Sequence, residues 1–138
     1  FPAEILDRRL PAANRELALS LDRTLSEYAS KLQRDDIVSR TKSVISDNLP
    51  SGNYTSEVVA AELNMSPRSL QRKLAAEGTA YRKLVDSVRQ ELAESFLGEG
   101  SFTLEEISYL LGFSSQAAFS RAFKRWTGLT PREFRDAA

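Results

Sequence analysis

One pattern occurs twice in this chain, and its copies lie 49 positions apart. Residues 60–74 and 109–123 each contain a short apolar segment, a tight turn, a small hydroxyl residue and a segment with large apolar residues at positions i and i+4. An arginine, Arg72 in the first copy and Arg121 in the second, lies between those apolar residues. This order is typical of a helix-turn-helix. Two units on one chain predict an all-α fold with two helices for two stretches of DNA major groove.

The composition excludes several classes of protein. With no His and no Cys, the chain cannot form a His-based catalytic triad, a thiolate nucleophile, a disulfide, or a zinc site with thiolate or imidazole ligands. We therefore expect no enzyme, no metal and no cofactor. Apolar content of 41% and charged content of 28% are typical of a soluble globular chain.

The sequence also lacks the usual signals for a membrane or for export. No apolar run approaches the roughly 18 residues of a membrane span, and the first residues lack the basic start of a signal peptide. We expect a cytoplasmic protein with no membrane partner. The chain does not begin with Met, which suggests a fragment of a longer protein.

Positive charge is unevenly distributed, although 19 basic residues balance 19 acidic ones. Residues 66–89 contain six basic and two acidic residues, and residues 121–135 contain five basic residues and one acidic residue. Residues 91–106 are acidic and contain no Lys or Arg. The positive charge thus collects on the second helix of each unit and the segment after it, as expected for a nucleic-acid-binding surface.

Helix start and stop signals divide the chain. Capping residues are predicted at Asp35 or Asp36, Thr55 or Ser56, Ser66, Thr103, Ser115 and Thr130, and glycines end most of the segments. We predict an all-α fold in which two helix-turn-helix subdomains (about 56–78 and 103–128) are joined by a long connecting helix (79–97). A helix from about residue 14 precedes them, a second helix ends at Asn48, and a terminal helix spans 130–137. The connecting helix should close at Gly98 and Gly100.

The first helix has one apolar stripe, formed by Leu17, Leu21, Leu25, Tyr28 and Leu32. The stripe packs either on an upstream domain or on the remainder of this chain. A short dimerising coiled coil is the alternative.

The length of the connecting helix suits a paired function. About 19 residues at about 1.5 Å each span about 28 Å. Successive major-groove faces on one side of B-DNA are about 34 Å apart. A connector of that length can hold both units against one face of the duplex.

The second unit and the segment that follows it resemble the signature of the AraC/XylS family of bacterial transcription regulators. The matching run is GFSSQAAFSRAFKRWTGLTPREFR at residues 112–135, and SPRSLQRKL at 66–74, EGTAY at 77–81 and Arg89 are similar to the other half of the same domain. The resemblance implies a DNA-binding domain at residues 35–138. It further implies that residues 1–34 are the tail of an upstream effector domain and a linker helix.

Helical positions assign roles to the side chains of both units. Leu70, Leu74, Phe119 and Phe123 should face the core, as should Phe113, Trp126 and Phe134 rather than stacking on bases. The predicted base-contacting residues are Arg68, Gln71 and Arg72 in the first unit and Gln116, Ala117, Ser120 and Arg121 in the second. Arginine can bond both acceptors of guanine, glutamine can pair with adenine, and the alanine side chain can lie against a thymine methyl. For Arg72 and Arg121 the alternative is a structural salt bridge.

Other residues are predicted to contact the phosphate backbone. They are Lys73, Lys124 and Arg125, with the capping residues Ser66, Ser115 and Thr130 at helix N-termini. We expect the more arginine-rich first unit to contribute more to sequence discrimination.

The predicted partners are double-stranded DNA, RNA polymerase and a small-molecule effector bound by the missing N-terminal domain. A homodimer of the full-length protein is an open possibility. The alternative function is a helical protein-interaction module of the transcription machinery without tight DNA binding, which the neutral net charge favours.

Overall fold

The structure is a computed structural model that describes residues 14–32 and 36–137. Within those ranges all regular secondary structure is α-helical, so the predicted all-α class is confirmed. The helices are α1 (Asn14–Lys31), α2 (Ile37–Asn48), α3 (Ser56–Glu62), α4 (Pro67–Ala76), α5 (Tyr81–Glu99), α6 (Leu104–Leu110), α7 (Gln116–Thr127) and α8 (Pro131–Ala137). Of the predicted N-terminal segment 1–34, residues 1–13 and 33–34 lie outside the described residues, as does the alternative cap Asp35.

Side-chain caps begin most of these helices. Asp36 accepts a 2.8 Å hydrogen bond from the Ser39 amide. The predicted hydroxyl caps are also present, each accepting from the backbone amide three residues on: Thr55, Ser66, Thr103, Ser115 and Thr130. Two of them, Thr103 and Thr130, form full capping boxes with Glu106 and Glu133. The predicted capping residues therefore form the expected hydrogen bonds at the helix N-termini.

Helix α5 lies at the centre of the fold. It packs against α1, α2, α6 and α8. On one side α2, α3 and α4 pack together, and on the other α6, α7 and α8 do so. The most buried side chains include Leu92 and Phe96 of α5, which are 1% exposed. Two helix-turn-helix subdomains are thus joined by a long connecting helix, as predicted.

The apolar stripe of α1 is covered by the remainder of this chain. Leu17 and Tyr28 are buried, and Leu21, Leu25 and Leu32 pack against the same core. The neighbours of α1 are α5 and α2. The stripe is therefore a core element and is not a free seam for a coiled coil. None of the helices in the described part of the chain has both the length and the apolarity to cross a membrane.

The connecting helix runs over Tyr81–Glu99, so the predicted bounds of 79–97 are wrong by two residues at each end. At its start, the Thr79 amide still bonds to the Leu74 carbonyl of the preceding helix, and Ala80 is extended with φ −144° and ψ 158°. At its end, Gly98 remains helical and the left-handed residue is Gly100, with φ 78°. The helix keeps its predicted length of 19 residues.

The two units are not offset by 49 positions throughout. The turn amides of Met65 and Phe113 bond to the carbonyls of Ala60 and Ser108, which is an offset of 48. The left-handed turn residues, Asn64 (φ 60°) and Gly112 (φ 81°), have the same offset. The recognition-helix caps Ser66 and Ser115 are offset by 49. The second turn is therefore one residue longer, and the sequence repeat holds only from the cap onward.

Candidate nucleic-acid interface

Helix α4 presents one buried and one exposed face. Pro67 at its first position needs no amide partner, and Leu70 and Leu74 are 1% and 0% exposed. The four predicted DNA-contacting residues of α4 are exposed: Arg68, Gln71, Arg72 and Lys73. Residues advance by about 100° around a helix, so Arg72 lies opposite the two buried leucines.

Helix α7 repeats this arrangement. Phe119 and Phe123 are fully buried, in the positions of the two leucines. The exposed predicted residues are Gln116, Ala117, Arg121, Lys124 and Arg125, whereas Ser120 is half-buried at the edge of the face. Ala117, Arg121 and Lys124 follow the spacing i, i+4 and i+7, so they form a single outward stripe.

No ion pair with a described carboxylate holds the arginines of either face. In the described part of the chain, the ion pairs join Arg23 to Glu99 and Lys42 to Glu91, and both lie away from α4 and α7. Among the described residues, neither Arg72 nor Arg121 is in an ion pair, so base contact by both arginines stays a prediction. Toward the residues that the structure describes, neither guanidinium group donates a hydrogen bond, so the donors of both can serve a ligand.

The hydroxyl caps keep one hydrogen-bonding function free. Ser66 and Ser115 are exposed, and their oxygens accept from the amides of Ser69 and Ala118 at 3.1 and 3.0 Å. A hydroxyl that accepts in this way can still donate its proton to a phosphate oxygen. Thr130 has the same arrangement but is half-buried.

One carboxylate lies close to the outward stripe of α7. Hydrogen bonds from Thr130 and the positive charge of Lys124 lower the pKa of Glu133. Glu133 is therefore ionised near neutral pH, and it offsets part of the positive potential at the C-terminal end of α7.

The aromatic residues near α7 belong to the core, as predicted. The Phe113 ring lies 5.5 Å from that of Phe119 and 6.0 Å from that of Trp126, between ring centroids. Phe134 meets Phe123 edge to face at 5.3 Å. These contacts join α7, α8 and the turn before α7 into one cluster.

Arg89, which belongs to the family resemblance, makes contacts that were not predicted from the sequence. Its Nη2 donates a 2.5 Å hydrogen bond to the Tyr54 hydroxyl. Its guanidinium carbon lies 5.7 Å from the centroid of the Tyr54 ring and 4.7 Å from that of Phe113. The inward position of Arg89 could have been predicted from the helical spacing. Arg89 follows Val85 by four residues and precedes Leu92 by three, which places it on the apolar side of α5.

Comparison with known proteins identifies the family. A family model described as "Helix-turn-helix domain" matches residues 59–137. The chain is 42% identical to the HTH-type transcriptional regulator VirS of Mycobacterium tuberculosis over 87 residues, which are 63% of this chain and 26% of VirS. It is 36% identical to the HTH-type transcriptional regulator VqsM of Pseudomonas aeruginosa over 99% of this chain and 43% of VqsM.

Solved structures give the same result. A DNA-binding transcriptional dual regulator from Escherichia coli K-12 superposes with a TM-score of 0.70 at 28% identity, over 76% of this chain and 94% of that one. The chain spans less than half the length of the curated relatives named above. From its helix-turn-helix pair and these similarities, the chain belongs to the AraC-type helix-turn-helix family of DNA-binding transcription regulators.

Proposed function

We propose that residues 35–138 bind duplex DNA sequence-specifically, with α4 and α7 in two adjacent major-groove segments. The observation that carries this proposal is the matched pair of helix faces, each exposed and rich in hydrogen-bond donors. The connecting helix between them has 19 residues and so is about 28 Å long. That length is close to the groove repeat of about 34 Å.

The proposed base contacts follow from side-chain chemistry. Arg68, Arg72 and Arg121 can each donate two hydrogen bonds to guanine. Gln71 and Gln116 can pair with adenine, while the methyl of Ala117 fits against that of thymine. Ser120, at the edge of the α7 face, can bond to either kind of base. Two of the arginines lie on α4, so we expect α4 to contribute more to discrimination than α7.

The proposed phosphate contacts flank these faces. Lys73, Lys124 and Arg125 are exposed cations that can neutralise phosphates, and such contacts position a protein without selecting a sequence. The caps Ser66, Ser115 and Thr130 lie at helix N-termini, where amides and the helix dipole favour anions.

The remaining roles concern the longer protein. We propose that residues 1–34 are the end of an effector-binding domain and a linker helix, because the relatives are more than twice as long as this chain. In this proposal the effector is a small molecule, the partners are RNA polymerase and, in the full-length protein, a second copy, and the regulator acts in the cytoplasm without catalysis.

Selection of binding sites from random duplexes, followed by footprinting, tests the proposal. We expect enrichment of a bipartite site, protection of two adjacent major-groove segments, and an affinity that falls steeply with salt as counterions are released. An interaction module would show no retention on duplex DNA. Protection of one short segment would contradict the paired mechanism while leaving DNA binding intact.

A further inference from the structure

One side chain of the connecting helix contacts both helix-turn-helix units. Arg89 extends from the middle of α5 between two aromatic rings, Tyr54 and Phe113. Tyr54 directly precedes Thr55, the cap of α3 in the first unit. Phe113 lies in the turn of the second unit, between α6 and α7. One guanidinium group therefore contacts residues of both units.

The first unit holds its side of this contact firmly. The Tyr54 carbonyl accepts a hydrogen bond from the hydroxyl of Tyr81, the first residue of α5. The Tyr54 hydroxyl accepts from Arg89 at 2.5 Å. Both ends of Tyr54 are thus bonded to α5, and α3, which follows it, packs on the recognition helix α4.

The second unit meets the same group through its turn. An added Cβ at Gly112 would lie 3.0 Å from the Tyr54 hydroxyl oxygen and 3.5 Å from Arg89 Nη2. The missing side chain is what allows this approach. The ring of Phe113, which contacts Arg89, also packs on Phe119 and Trp126 of the recognition helix α7. Phe113 therefore connects Arg89 to that helix.

We propose that Arg89 is a positioning residue that fixes the orientation of α4 relative to α7 and so sets the spacing of the two half-sites. A long helix can bend, and a cation between two rings with a hydrogen bond restrains that bending. The inference rests on the proposed paired binding of DNA. Arg89 acts through these contacts and not by touching a base.

Affinity for a series of duplexes tests this role. Each duplex carries the two selected half-sites, separated by the optimal spacing or by one or two base pairs more or fewer. Arg89→Met should lower affinity at the optimum about tenfold, because a looser connection lowers the effective concentration of the second unit. It should also flatten the dependence on spacing and leave the affinity for each isolated half-site unchanged.

Two further variants separate positioning from charge. Lys83→Met removes the same charge from an exposed position of the same helix. Any loss of affinity from that charge should be equal at every spacing, so the optimum and the shape of the profile should be those of the parent. Arg89→Lys keeps the charge but not the planar group that lies between two rings, so it should give an intermediate profile.

An Arg89→Met protein with the spacing profile of the parent overturns the proposal, as does a Lys83→Met profile that is equally flat. Should Arg89→Met fail to fold, Tyr54→Phe carries the test, since it removes only the accepting hydroxyl. An unchanged profile in that variant also overturns the proposal. A parent protein that binds all spacings equally well also overturns the proposal, whereas one that binds no paired site more tightly than an isolated half-site would disprove the paired function itself.

Discussion

The hydroxyl of Thr24 in α1 donates a 2.5 Å hydrogen bond to Glu99 at the end of α5, 75 positions later in the chain. Glu99 also pairs with Arg23. One turn further along α1, Tyr28 donates a 2.6 Å hydrogen bond to Glu91. Two carboxylates of α5 thus hold α1, and their order shows that the two helices run antiparallel. The helix that enters the DNA-binding domain is docked on the helix that connects its two units.

The Glu99 contact predicts a pH dependence of stability. Hydrogen bonds from Thr24 and the charge of Arg23 lower the pKa of Glu99 from its ordinary 4.5. A lowered pKa in the folded state means that the contact contributes fully above about pH 4.5 and is lost as the pH falls through the folded-state value. Glu99→Gln should therefore lower the melting temperature at pH 7, and the difference from the parent should shrink on acidification. A difference that stays constant from pH 7 to about pH 3 would contradict this assignment.

Two glycines offer a matched pair of substitutions. Gly112 and Gly128 are both left-handed, with φ 81° and 84°, so alanine costs about 1–2 kcal/mol at either position. Only at Gly112 would the new Cβ meet another residue, the Tyr54 hydroxyl oxygen at 3.0 Å. Gly112→Ala should thus destabilise the domain more than Gly128→Ala in urea unfolding. Equal losses would show that Tyr54 moves aside without cost.

Features encoded by adjacent residues could be predicted from the sequence. The hydroxyl caps Ser66, Thr103 and Ser115 each bond to an amide three residues away, so a short window contains both partners. The buried pairs at i and i+4 are likewise local. The register of the second turn was missed, because matching the recognition helices hid the extra residue between Gly112 and Ser115.

Contacts between distant residues could not be predicted. Arg89 and Tyr54 are 35 positions apart, and Thr24 and Glu99 are 75 apart. Periodicity shows that α1 has an apolar stripe but not which helix covers it. Likewise, the exposed faces of α4 and α7 follow from pattern, whereas the group that orients one face relative to the other required the tertiary structure.

Arg72→Ala should lower the affinity for the selected site by about 1–3 kcal/mol, the usual cost of losing a bidentate base contact. Arg72 is exposed and opposite the buried face of α4, so the fold should be unaffected. Lys73→Ala is the matched control, since it removes one charge from the same helix. It should weaken binding to selected and random duplexes alike. Equal gel-shift affinities of Arg72→Ala and the parent at fixed salt would exclude a base contact.

Lys124→Ala tests the proposed phosphate contacts of α7. It should weaken binding to specific and random duplexes by a similar factor and reduce the slope of log affinity against log salt by about one unit. Lys31→Ala, at the end of α1, is the control and should leave the slope unchanged. A Lys124→Ala protein that loses affinity only for the specific site would place Lys124 among the base-contacting residues, consistent with its position on the stripe with Ala117 and Arg121.

A single residue inserted before Ser87 in α5 tests whether the connecting helix sets the distance and angle between the units. The insertion should rotate one unit by about 100° and shift it by about 1.5 Å relative to the other. It would also separate Arg89 from Tyr54, since Tyr81 lies before the insertion and Arg89 after it. Both recognition helices could then no longer face the same side of the duplex, and affinity should fall towards that of one unit.

The insertion also turns the buried positions Val88 and Leu92 relative to Leu84, so circular dichroism and thermal melting must first show a folded protein. The footprint then decides the mechanism. A folded insertion variant should protect one major-groove segment, because its second unit is directed away from the groove. Protection of both adjacent segments would show that the connector acts as a flexible tether, since only a chain that bends or unwinds can absorb a rotation of about 100°.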